Sequence, residues 1–121
     1  MAADDFARQL REDGFDVEEL PERMITLPFL VPLGPRVGES LTLGFQVPPD
    51  FPLSPPSGPH VSPRILPIHP DQSVGHPIGG VHESPFGSDW EYWSRPFPEW
   101  PRTDRTARAY MSHVRHLFAT L

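Results

Sequence analysis

Apolar positions recur at helical spacing near both ends of the chain and at strand spacing in between. Phe6 and Leu10 stand four apart on one helix face. Asp4 and Asp5 suit the positive end of a helix dipole, and Gly14 supplies a stop, so residues 2–13 read as a first helix. Phe15–Leu20 reads as a connector closed by Pro21. Met24–Leu33 is rich in β-forming residues but broken by Pro28 and Pro32, which predicts one strand at or near a sheet edge. After a turn at Gly34–Glu39, Leu41, Leu43, Phe45 and Val47 alternate with Thr42, Gly44 and Gln46, the pattern of a half-buried strand hairpinned to the one before. Gly58–Ile65 reads as a third, weaker strand. Asp104–Leu121 has the clearest helical period: Ala107, Tyr110, Met111, Val114, Leu117, Phe118 and Leu121 share one side, opposite Arg105, Arg108, Ser112 and Arg115. Thr103 or Asp104 is its expected N-cap.

Proline changes this picture. The chain has 18, spread from Pro21 to Pro101 and sparing both ends. Proline lacks an N–H and fixes φ, so the middle of the chain is expected to hold short strands joined by extended loops. Residues 67–101 show no regular period and are too long for a plain connection. Their aromatics, Phe86, Trp90, Tyr92, Trp93, Phe97 and Trp100, predict an ordered loop packed on the core. The length, 121 residues, fits a single domain over 1–121. The expected class is α+β: N-terminal helix, antiparallel meander sheet, long aromatic and proline-rich loop, C-terminal helix.

Charge and composition narrow the functions. The net charge is −6 and the Lys and Arg residues form no basic cluster, which argues against nucleic-acid binding. No apolar run approaches the roughly 20 residues of a membrane span. Met1–Asp5 is acidic, unlike the start of a signal peptide, so a cytoplasmic chain is expected. There is no cysteine, which excludes disulfides, thiolate metal sites and cysteine nucleophiles. His60, His69, His76 and His82 fall in the loop region without the spacing of a zinc motif, and His113 and His116 lie three apart on the last helix. No metal and no cofactor are expected. A His- or metal-dependent hydrolase using His76, His82 and Asp89 stands as the least favoured alternative.

The most specific segment is Val47-Pro48-Pro49-Asp50-Phe51-Pro52-Leu53-Ser54-Pro55-Pro56. It resembles the "P-x-x-[YF]-P-x-x-P-P" run that follows a meander strand in ubiquitin-conjugating (E2, UBC-like) domains. Proline stops the strand and sets an extended bend, with the aromatic expected to pack beneath it. His76-Pro77 resembles the start of the E2 "HPN" tripeptide, and Trp93-Ser94 resembles "W-S-P". A prokaryotic E2-like family, family E, is similar over nearly the whole chain. Its "G-[FY]-x-V-E" step matches Gly14-Phe15-Asp16-Val17-Glu18. Its "W-x-x-W-S-R-H" block matches Trp90-Glu91-Tyr92-Trp93-Ser94-Arg95-Pro96, and a further Trp matches Trp100.

The resemblance implies a UBC-like fold and a place in bacterial ubiquitin-like conjugation, with a ubiquitin-like protein, an E1-like enzyme or an E2-like protein as partner and antiphage defence as a setting. Three departures bear on activity. The cysteine is missing, Ile78 replaces the Asn of "HPN", and Pro96 replaces the expected His. The implied function is therefore a non-catalytic, E2-variant role. The alternative is an active E2-type transferase whose cysteine, within residues 80–90, has been replaced. His76, His82, Ser84 and Ser88 are the candidate vestigial or replaced site. Against that stand the turn preferences of serine beside Pro85 and Gly87, which make Ser84 and Ser88 ordinary loop residues. Trp90, Trp93 and Arg95 are the candidate partner-binding residues; the plainer reading makes the Trp residues packing aromatics and Arg95 a brace on backbone carbonyls.

Overall fold

The computed structural model describes residues 2–66 and 80–121. The first helix, α1 (Ala2–Glu12), buries Phe6, Ala7 and Leu10, the face its spacing predicts. Gly14 ends it at φ 94°, with Phe15 N donating to Leu10 O and Gly14 N to Arg11 O. These paired bonds satisfy carbonyls that a helix end leaves open, and only the left-handed glycine lets the chain reverse to make them.

The strands are β1 (Glu18–Leu20), β2 (Met24–Leu30), β3 (Ser40–Gln46), β4 (His60–Ser62), β5 (Val81–Glu83) and β6 (Glu91–Trp93). They form one antiparallel sheet in the order β1-β2-β3-β4-β6-β5. The described residues are therefore α+β, a six-stranded antiparallel sheet with two α-helices. Three strands lie where the sequence pattern predicts none: β1 inside the expected connector, and β5 and β6 inside the expected aromatic loop. Each is three residues long, too short for a period of two to register.

Proline in β2 is explained by register. Val31 N donates to Glu39 O, so the odd-numbered residues of β2 hold the ladder to β3 and Pro28 faces the other side. There β1 has already ended, because its pairing stops at Thr26. Pro28 thus sits where β2 is locally an edge and its missing donor costs no ladder bond.

One face of the sheet carries Ile25, Leu27, Phe29, Leu41, Leu43, Phe45, Val61, Val81 and Trp93 into the core. Helix α2 (Ala107–Ala119) buries Ala107, Tyr110, Met111, Val114 and Phe118 against it. Phe118 lies 5.3 Å from Phe29 and 5.0 Å from Trp93, ring centre to ring centre. The N-cap of α2 is Thr106, not Thr103 or Asp104: its hydroxyl accepts from Ala109 N. Thr103 is spent on the preceding 3-10 turn, donating to Trp100 O and accepting from Arg105 N, while Arg105 takes φ 57°. A further orphan donor of α2, Ala107 N, is met from the other end of the chain by Gln9 Oε1 at 2.7 Å.

The proline run is held from two sides. Phe51 is buried and packs edge-on against Phe6 at 5.0 Å and beside Trp100 at 6.1 Å. Trp100, in the 3-10 turn Trp100–Arg102, donates its indole N–H to Pro52 O at 3.0 Å. The segment after β3 is thereby fixed to α1 and to the approach to α2.

Among the described residues no helix is long and apolar enough to cross a membrane.

Candidate functional site

The sheet face turned away from the helices carries one cross-strand row: Thr26, Gly44, His60, Tyr92 and His82 on β2, β3, β4, β6 and β5. Gly44 leaves a gap in that row, and Phe86, from the turn after β5, fills it. A Cβ on Gly44 would stand 2.7 Å from the Phe86 ring. Phe86 in turn lies over His60, with ring centres 4.5 Å apart. Tyr92 stacks on the imidazole at 4.7 Å and 26°, and His82 flanks Tyr92 at 5.7 Å. His60 is thus sandwiched between two aromatic rings and only 5% exposed.

The imidazole is fixed by Ser84. His60 Nδ1 and Ser84 Oγ are 2.8 Å apart, and Ser84 Oγ also accepts the Phe86 backbone N–H at 3.1 Å. Ser84 Oγ keeps a second lone pair and its own proton, so the neutral ring either accepts the Ser84 hydroxyl at Nδ1, with its proton on Nε2, or donates from Nδ1 to Oγ, with Nε2 left as an acceptor. Burial pushes His60 down to a pKa of about 4, because a charged ring loses water that the flanking aromatics do not replace. The neighbouring hydroxyls form a second pair, Tyr92 Oη and Ser57 Oγ at 2.7 Å.

On the core face, Glu91 is fully buried. Its carboxylate accepts from Ile65 N (3.2 Å), Leu66 N (3.1 Å) and the Trp93 indole N–H (2.8 Å). The three donors stand in for the water the carboxylate has lost. Glu91 so pins β6 to the segment leaving β4.

Residues singled out from sequence are dispersed by this arrangement. Ser84 is in the site, bonded to His60. His82 is at its margin on β5, and Ser88 is exposed on the following turn. His76 lies outside the described residues, as do His69, Pro77 and Ile78. Trp93 is 1% exposed, packed on Phe118 and bonded to Glu91, so it is a core residue and presents no surface to a partner. Trp90 is half-buried and packs on Phe86 at 5.0 Å. Arg95 donates to Ser94 O, its own carbonyl accepts from His113 Nε2, and partial burial lowers its pKa. His113 stacks on Phe97 at 4.3 Å and 5°, and burial lowers its pKa as well. Among the described residues, no three His, Asp or Glu side chains converge as a metal site would require.

The sequence pattern gave His60 no special standing among the loop histidines, and passed over Tyr92, Ser57 and Glu91 as site residues. Their association depends on β4 pairing with β6 across about thirty intervening residues, which no local period encodes. The one available signal was Gly44, a glycine inside an otherwise regular strand, which marks a close approach by another group.

Comparison with protein-family models, with curated proteins and with solved structures found no significant match.

Proposed function

We propose that this chain is a non-catalytic, E2-type component of a bacterial ubiquitin-like conjugation pathway, binding a ubiquitin-like modifier, an E1-like enzyme or an E2-like partner. The observation that carries the reading is the state of Ser84. It stands within residues 80–90, where the resemblance to E2 domains locates the missing cysteine, and its only side-chain partner among the described residues is His60. A serine needs a general base to attack a carbonyl, and a base works best when its pKa lies near the working pH. His60, held at about 4, is too weakly basic for that task at neutral pH. The pair reads as a lock on the turn between β5 and β6. The proline run clamped by Phe6 and Trp100, in its place after the meander, supports the same affiliation.

The test is retention on the immobilised chain of the ubiquitin-like and E1-like proteins encoded beside its gene. Retention of one of them, with no covalent adduct after incubation with ATP, is expected. Failure to retain any of them overturns the proposal. An ATP-dependent adduct, or a cysteine codon between residues 80 and 90 in the native gene, would favour the active-transferase alternative instead.

A further inference from the structure

Beside the His60 row runs a groove of about 440 Å³, open to solvent, between the proline run and the turn after β5. Pro48, Pro55 and Pro85 form apolar walls, and Tyr92, Ser57 and His60 lie along it. Arg23 and Gln46 line it as well. Among the described residues no Asp or Glu lines it, although the chain as a whole carries a net charge of −6.

Arg23 is held there at a conformational cost. Glu22 and Arg23, in the turn between β1 and β2, take φ of 64° and 60°, the left-handed region that non-glycine residues avoid. Two successive residues of this kind persist only where the surroundings impose them, and such strain concentrates at functional sites and ligand clamps. Two bonds to Val47 impose it: Val47 N donates to Arg23 O, and Arg23 Nε donates to Val47 O at 3.0 Å. With Nε engaged, the guanidinium plane is set and its outer N–H groups remain for a ligand. Arg23 has no ion pair among the described residues.

His60 gives an independent indication. The residue is buried, and Nδ1 is taken by Ser84. Nε2 has no partner among the described residues, yet it is not among the fully buried polar atoms left without one, and His60 lines the groove. In either tautomer Nε2 is a polar atom that a ligand can satisfy, by accepting its N–H or by donating to its lone pair.

We propose that this groove binds an extended acidic peptide segment of a partner protein. Arg23 takes an Asp or Glu side chain, His60 Nε2 and the Tyr92–Ser57 hydroxyls take backbone polar groups, and the proline walls take an adjoining apolar side chain. The groove opens to solvent and encloses no chain end, which favours an internal segment over a C-terminus. This holds whether or not the partner belongs to a conjugation pathway.

The experiment uses the full 121-residue chain, labelled with nitrogen-15, and three capped, degenerate pentapeptide pools with Glu, Gln or Lys fixed at the centre. The Glu pool is expected to shift the backbone amides of Gln46, Val47, Ser57 and Tyr92, at least fivefold more at equal concentration than the Gln pool, with no response to the Lys pool. Gln46→Glu, an exposed substitution that sets a carboxylate in the groove, should abolish the response, and Arg23→Gln should reduce it at least fivefold. Arg64→Gln, at an exposed arginine outside the groove, should leave it unchanged. Amide spectra of each variant report whether the fold is retained, and Gln46→Glu decides the matter if Arg23→Gln disturbs the turn. Equal shifts from the Glu and Gln pools, shifts confined to another face, or no shifts at all would overturn the proposal. A response only to uncapped peptides would assign the groove to a C-terminal carboxylate and would overturn the internal-segment form.

Discussion

The sandwiched imidazole makes the fold sensitive to acid in a way that can be isolated. In the unfolded chain His60 titrates near its ordinary value of about 6.5. In the folded chain burial holds it to about 4. Between those values the unfolded state binds a proton that the folded state does not, so stability rises with pH across this window and is lost as pH falls. The contribution is fully present above about pH 6.5, erodes toward pH 4 and is constant below. The gap of about 2.5 in pKa corresponds to about 3 kcal/mol in all, of which about 2.5 kcal/mol is lost by pH 4.5. Among the described residues the groups in contact with the ring are Ser84, Phe86 and Tyr92, and none is a carboxylate that would offset the added charge. Urea unfolding of the parent chain and of His60→Gln at pH 7.5 and 4.5 measures the effect. The variant keeps every other acid-labile group, including Asp13, whose carboxyl is held low by its hydrogen bond and charge pairing with Arg108, so the difference between the two proteins reports His60 alone. The parent should lose about 2.5 kcal/mol more than the variant, a midpoint difference on the order of 1 M urea for a domain of this size. Parallel loss in both proteins would refute the argument, and would mean that the ring is solvated or already charged at neutral pH.

Three further outcomes follow from the same geometry. Glu91→Gln with its amide oxygen in the Oε2 position keeps an acceptor for all three donors but sets an NH2 against Leu66 N, which had bonded both oxygens, and replaces a carboxylate acceptor by a neutral one; a loss of about 1–3 kcal/mol in urea unfolding is expected, with faster exchange of the Leu66 amide, and unchanged exchange there would count against the pairing. Tyr110→Phe removes a buried hydroxyl that has no hydrogen-bond partner among the described residues and whose pKa burial drives far upward; unfolding free energy should stay level or rise by about 1 kcal/mol, and a clear loss would reveal a partner for the oxygen. Gly44→Ala drives a methyl into the Phe86 ring, which must swing off His60; about 1–3 kcal/mol of stability should be lost and the His60 titration, followed by NMR, should move up toward the solvated value, whereas an unmoved titration would show that Phe86 does not shield the ring.

Much of the scaffold was legible in the order of residues. Helix α1, its glycine stop, β2, β3 and α2 carry periods long enough to read, because a single amphipathic face repeats within each of them. The proline run was legible too, since proline fixes φ whatever surrounds it. Only the tertiary structure decided the rest. The three-residue strands β1, β5 and β6 exist because neighbours supply their ladders, and Thr106 caps α2 because Thr103 is engaged by Trp100. The association of His60 with Ser84, Phe86 and Tyr92, and of Glu91 with Ile65 and Leu66, spans about twenty-five to thirty residues. Sequence fixes which residues are able to ionise or hydrogen-bond; burial and strand register fix which of them meet and in what charge state, because desolvation and pairing are properties of the assembled sheet and not of any local stretch of chain.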